Sequence, residues 1–300
     1  MISEESREFI RKRRETPPFA AEGFNLAALV EVMGTRNEPV NLPVRFFPAD
    51  VGGIPGEWVV AEGANPDQRL LYLHGGGNVC GSSGFYLTLA ARVSIATGFV
   101  VFLPNYRLAP QHLFPAAFDD ALRAYDGLER TGPTGAAPAK TMFIAGDETG
   151  AALAIAILQT LRDRRRALPA GAFTVSAFVD MTMSGKSFES EAPFDPIMHP
   201  NLLRPAPGLF LGKADVRDPR CSPVFGDFTG LPPLLIQAAE HELIRDDSVL
   251  LAAKAKAAGV TATLEIWPGM FHEFQAHEPQ LPEGRQAIQH IADFMQAAAK

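Results

Sequence analysis

Three short segments hold residue types that could do chemistry. His74-Gly75-Gly76-Gly77 places three consecutive glycines after a strand-like run, Arg69–His74. A glycine run costs chain entropy and makes sense where backbone N–H groups must approach a ligand closely; such groups can hold a developing oxyanion. Gly146-Asp147-Glu148-Thr149-Gly150 follows a second apolar run, Thr141–Ala145, and leads directly into a helical pattern. Its flanking glycines suit a sharp strand–turn–helix elbow that presents its central side chain, here Glu148. Seating Thr149 at the centre fails, because Asp147 and Ala151 would then hold the glycine positions. His272 follows the last strand-like run, in Trp-Pro-Gly-Met-Phe-His-Glu-Phe from Trp267 to Phe274. A carboxylate, an imidazole and a cradle of amides are what acid–base chemistry on a carbonyl compound requires.

The elements that must position these residues alternate. Strands are expected at Val40–Phe47, Gly56–Glu62, Arg69–His74, Phe99–Leu103, Thr141–Ala145, Ala172–Val179, Pro233–Ala239 and Thr261–Trp267. Helices are expected at Phe85–Thr97, Pro115–Arg130, Thr149–Arg166, Asp246–Ala258 and Arg285–Ala299, the last with Ile288, Ile291, Phe294 and Met295 on one face. Such alternation predicts an α/β fold with a mostly parallel sheet covered on both faces, and ligands gather at the carboxyl ends of its strands. Two helical stretches broken at Thr16-Pro17-Pro18 come first, the second with Phe24, Leu26, Leu29, Val30 and Val32 apolar. These helices and a Pro- and Phe-rich excursion from Ser187 to Asp215 are expected to cover the end of the sheet.

Composition narrows the class. The chain has 300 residues, 47% of them apolar, which suits one large α/β domain and excludes disorder. With 27 Lys+Arg against 34 Asp+Glu, its charge of −7 argues against nucleic acid as a partner. No apolar run approaches the roughly 18 residues of a membrane span, and the N-terminus is charged with no apolar leader. Cys80 and Cys221 form neither a disulfide framework nor a metal-ligand spacing. The expectation is a soluble cytoplasmic protein taking a small-molecule substrate.

These segments resemble the bacterial hormone-sensitive-lipase family of α/β-hydrolases over most of the chain. The likeness is carried by HGGG at His74–Gly77, NYRLAPQHLFPAAFDD at Asn105–Asp120, SGKSF at Ser184–Phe188, DPRCSP at Asp218–Pro223, LPPLLIQ at Leu231–Gln237 and WPGMFHEF at Trp267–Phe274. The resemblance implies an eight-stranded sheet, a helical cap from about residues 1–40 and 187–215 on a single domain 1–300, and an ester substrate held without a cofactor. It implies that Gly76, Gly77 and Thr149 supply oxyanion N–H groups and that His272 holds the base's seat. Dimers are common among proteins that resemble it, so a homodimer stays open.

Two departures stand out. The family's elbow reads GDSAGG, whereas this chain has Glu148 in the serine's seat, a side chain about two heavy atoms longer that can itself reach into the oxyanion hole. Counting along Gln237–Leu243, the acid's seat falls on His241; Glu240 and Glu242 flank it and would reach His272 only if the loop differs from the family's. Asp147 matches the family's structural aspartate, and Asp246 and Asp247 read as helix capping. Four readings follow: a hydrolase with Glu148 as base or nucleophile and His272 as its acid–base partner; a lyase or isomerase using the same pair; a non-catalytic ligand-binding relative; and a metal site on Glu148, His241 and His272. The last is disfavoured, because the elbow and acid seats lie on opposite nitrogens of the imidazole. Ser82 and Ser83 are near the site by fold with nothing to activate them, and His199, His277 and His290 are expected at the surface.

Overall fold

The computed structural model describes residues 2–15, 26–39 and 41–300. Eight strands form the main sheet: β1 (Val44–Val51), β2 (Ile54–Ala61), β3 (Asn65–Leu73), β4 (Phe99–Pro104), β7 (Thr141–Asp147), β8 (Gly171–Val175), β9 (Leu234–His241) and β10 (Ala262–Phe271). Between β4 and β7, β5 (Thr131–Gly132) and β6 (Gly135–Ala136) make a small separate hairpin that no sequence pattern announced. The order across the sheet is β1-β2-β4-β3-β7-β8-β9-β10, with β1–β2 and β2–β4 antiparallel and every later pairing parallel. The central strands read as unbroken apolar runs because both faces are covered: every residue of β4 and β8 is buried. The edge strand β1 mixes exposed and half-buried positions.

The helices are α1 (Glu4–Glu15), α2 (Leu26–Met33), α3 (Leu87–Thr97), α4 (Ala116–Leu128), α5 (Glu148–Asp163), three short turns α6 (Ser187–Ser190), α7 (Pro200–Leu203) and α8 (Ala206–Leu211), then α9 (Arg245–Ala257) and α10 (Pro282–Ala298). Two apolar layers result, one per face of the sheet. Leu87, Leu89 and Val93 of α3 pack with Ile288, Ile291 and Met295 of α10 on one side. Phe118 of α4, Leu153 and Ile157 of α5 and Leu251 of α9 build the other. The stripe expected on the last helix is therefore real, with Phe294 packed at its margin.

Boundaries moved where the sequence was ambiguous. The first strand begins at Val44 rather than Val40, and Val40, Phe24 and the Thr16-Pro17-Pro18 break lie outside the described residues. The last two strands run past their expected ends, β9 to His241 and β10 to Phe271, so they deliver their chemistry directly from the strand ends. The 187–215 excursion contains α6, α7 and α8 and no strand, as expected.

Candidate active site

Glu148 sits on the elbow between β7 and α5 with φ +45°. That left-handed backbone costs a non-glycine residue on the order of 1 kcal/mol and persists only where the surroundings over-determine it. The glycines on either side are sterically compulsory. A Cβ on Gly150 would lie 2.0 Å from the Leu73 carbonyl oxygen, and one on Gly146 would lie 2.3 Å from the Gly150 backbone.

The glycine loop after β3 faces the elbow. Its conformation is held by His74, which stacks on Tyr106 at 4.3 Å and meets its own loop through Nδ1 and the Gly75 carbonyl at 2.7 Å. Burial pulls the His74 pKa down to about 4, so the ring is neutral scaffolding. Gly76 and Gly77 donate their N–H groups to a single oxygen, Glu148 Oε2, at 2.5 and 2.7 Å. Thr149 adds its hydroxyl to the same oxygen at 3.0 Å and accepts from the Asn78 N–H at 3.2 Å. Of the three N–H groups expected to form a cradle, those of Gly76 and Gly77 converge on one side-chain carboxylate. Thr149 reaches the carboxylate through Oγ1, a contact that its N–H assignment did not anticipate.

His272, at the end of β10, is almost fully buried. Its Nδ1 faces Glu242 Oε2 at 3.4 Å, and its Nε2 faces Glu273 Oε1 at 3.3 Å. Two sequence expectations need correction here. Glu148, expected to project toward His272, directs its Oε2 onto the glycine amides instead. The acid's seat belongs to Glu242, not to His241. His241 turns to the other side, with Nδ1 at 3.2 Å from Glu191 and its ring 5.6 Å from Phe194. The miscount was one residue, and at a strand end one residue reverses the direction of the side chain. Glu242 is fully buried and also accepts from the Ala239 N–H at 3.1 Å, whereas Glu240 is spent on the Gly269 N–H at 2.7 Å. Glu148, His241 and His272 therefore do not converge, and among the described residues no group of three or more His, Cys, Asp or Glu side chains is arranged to hold a metal ion.

The charges around His272 set its state. Burial works against an imidazolium, but Glu273 and Glu242 on its two nitrogens outweigh it and raise the pKa well above the ordinary value. Glu273 is drawn the opposite way: burial would raise it, and the charged ring holds it below the usual carboxylate range. Asp147, buried beneath the elbow with Oδ2 on the Gly75 N–H at 2.8 Å, is pushed well up by burial and by the nearby charge of Glu273. The surroundings thus favour the charged form of the His272 ring and of Glu273, and the neutral form of Asp147. Glu273 was missed in the sequence, where it was merely the residue after His272. Its one signal is structural, a φ of +52°.

A cavity of about 550 Å³ opens onto Gly76, Gly77, Glu148, His272 and Glu273. Its apolar wall includes Leu29 and Met33 of α2, Val79, Leu89, Leu203 and Leu209, so both segments expected to cover the sheet contribute to it. His277, expected at the surface, lines this cavity and packs against Phe9 at 4.9 Å, and burial lowers its pKa to about 4. Ser82 donates to the Met33 carbonyl at 3.0 Å and serves to attach α2. Asp246 and Asp247, expected to cap α9, lie in its first turn behind Ile244 and instead bind the N–H groups of Ser187 and of Val179 and Asp180.

An elbow with a left-handed central residue, an amide cradle opposite it and an acid-backed histidine after the last strand define an α/β-hydrolase site, and the profile of the α/β-hydrolase fold matches residues 70–276. An acetyl-hydrolase of Streptomyces hygroscopicus is 40% identical over 249 residues, spanning 83% of this chain and 81% of that protein. An esterase of Acinetobacter venetianus is 31% identical over 258 residues, spanning 85% and 83%. The crystal structure of an esterase from the bacterial hormone-sensitive lipase family superposes with a TM-score of 0.88 at 35% identity over 100% of both chains. This chain belongs to the hormone-sensitive-lipase family of α/β-hydrolases. Among the described residues no helix is long and apolar enough to cross a membrane.

Proposed function

We propose that this protein hydrolyses small, largely apolar carboxylic esters by activating water, with Glu148 as general base and His272 as general acid. The supporting observation is the carboxylate of Glu148 lying on the Gly76 and Gly77 amides at the end of an apolar cavity shared with His272. Those amides are suited to a developing oxyanion, so an entering ester displaces the carboxylate and gives its carbonyl oxygen to them. The displaced carboxylate takes a proton from water as the water oxygen bonds to the carbonyl carbon. Collapse of the tetrahedral species breaks the bond to the alcohol oxygen, which takes the Nε2 proton of His272. The proton on Glu148 then returns to the ring. Ester and water become acid and alcohol, with no covalent enzyme intermediate and no cofactor.

This arrangement makes a slow hydrolase. A hydrogen bond to a charged acceptor contributes about 1.5–3 kcal/mol and one to a neutral acceptor about 0.5–1.5 kcal/mol. Exchanging two bonds from carboxylate to carbonyl therefore costs about 2–3 kcal/mol, which slows turnover by about 30- to 160-fold. The same filled cradle favours a second reading, a relative that binds a small apolar ligand without turning it over. Short-chain p-nitrophenyl esters separate the two. Turnover above background that collapses in Glu148→Gln supports the hydrolase; background rates in both proteins overturn it.

A further inference from the structure

We propose that Glu273 is a positioning residue of this site: its carboxylate engages the Nε2 side of His272 and makes the ring a proton donor toward the cavity. The assignment deepens the hydrolytic reading and rests on it only for the ring's part in turnover.

The geometry carries it. An imidazole with an acid on Nδ1 alone is oriented and free to accept a proton at Nε2. Here the Nε2 side is occupied as well, with Glu273 Oε1 at 3.3 Å opposite Glu242 Oε2 at 3.4 Å. The backbone of Glu273 is bent to achieve this. Its φ is +52°, and its N–H donates to Ser176 Oγ at 3.0 Å, while Ser176 itself has φ +48°. Two consecutive contacts in left-handed backbone are a strained arrangement, held because the loop is fixed from both sides. Glu273 also lines the cavity, so its carboxylate stands where a ligand arrives.

Other charged groups around the ring do not duplicate this role. From the covering segment, half-buried Asp195 adds a weaker attraction while its oxygens hold the Ile197, Met198 and Leu243 N–H groups. From the elbow, Asp147 gives Oδ2 to the Gly75 N–H and is pushed up by burial and by Glu273, and Glu148 is engaged by the glycine amides. His74 and His277 approach the Glu273 side, and burial keeps both neutral. Arg13 lines the far part of the cavity and acts on His277. Among the described residues, only Glu242 and Glu273 face the ring nitrogens themselves.

The test uses the full chain with nitrogen-15-labelled histidine, following the His272 ring nitrogens by NMR across the pH range in wild type, Glu273→Gln and Glu273→Gly. Glycine adopts the left-handed backbone freely, so it keeps the loop if the glutamine variant fails to fold. The expected result is two protonated ring nitrogens in wild type through neutral pH. In either folded variant the midpoint falls by about 1–3 pH units, the range for loss of an adjacent opposite charge. An unmoved midpoint in a folded variant overturns the assignment, and so does a wild-type ring that is already neutral at pH 7. A merely structural role would lower melting temperature and leave the titration where it was. Because the readout is the ring's charge, it answers even if the protein proves to have no esterase turnover, which would sink the hydrolytic reading alone.

Discussion

Removing the Glu148 carboxylate should leave an empty anion site that a free carboxylate can refill. Glu148→Ala keeps the elbow glycines and frees the Gly76 and Gly77 N–H groups, which now meet Oε2 at 2.5 and 2.7 Å. Two charge-assisted bonds contribute about 3–6 kcal/mol. The short chain of butyrate adds about 0.8 kcal/mol for each carbon it buries in the apolar cavity. Against this stands at least about 4 kcal/mol for association. The balance corresponds to a dissociation constant from about one to some tens of millimolar. At ten times that constant, butyrate should stabilise the variant by about 1.4 kcal/mol, a rise of about 2 °C in melting temperature for a chain of this size. The assay is a thermal shift paired with amide proton–nitrogen spectra, in which Gly76 and Gly77 should move on substitution and return toward their original positions with butyrate. Equal stabilisation of wild type and variant, or glycine amides that ignore the substitution, would refute the reasoning.

Three other outcomes follow from the same geometry. Glu148→Ala, which removes the proposed base, should bring p-nitrophenyl butyrate hydrolysis down to background, whereas His241→Ala should leave it unchanged, since His241 faces Glu191; retained turnover in the first variant or a large loss in the second would contradict these assignments. Gly150→Ala should destabilise by about 1–3 kcal/mol or prevent folding, because its Cβ would sit 2.0 Å from the Leu73 carbonyl; an unchanged denaturation midpoint would contradict the elbow packing. Asp247 is raised by burial from 3.8 to about 8, so between those values the folded chain keeps a proton that the unfolded chain has released, and stability falls as pH rises. Asp247→Asn should therefore flatten the decline in melting temperature from pH 5 to pH 8, and an unaltered slope would show that the carboxyl is not buried as described.

The positions most legible in the sequence were those where backbone geometry demands a residue type. The glycines of His74–Gly77 and Gly146–Gly150 made both the loop and the elbow readable, because a side chain at Gly76, Gly146 or Gly150 collides with backbone and one at Gly75 collides with Asp147 and Glu148. His272 was legible from its place after the last strand. What was not legible was the direction of side chains beyond the strand ends. Glu242 and His241 differ by one position, and their roles invert because successive side chains leave a strand on opposite faces. Glu148 was read both as facing the imidazole and as long enough to enter the oxyanion hole, and the second holds because a flexible three-torsion side chain beside unpaired N–H groups satisfies them first. Glu273 escaped notice because only its left-handed backbone aims it at His272, and nothing in the order of residues encodes that turn.

The central claim is that Glu148 acts on water rather than on the ester. A single turnover of p-nitrophenyl butyrate in oxygen-18 water, followed by mass spectrometry of product and protein, tests it directly. The account predicts one heavy oxygen in the released butyrate, none in the peptide containing Glu148, and no acylated protein at any time. Heavy oxygen in that peptide, or an acyl adduct on the chain, would contradict it.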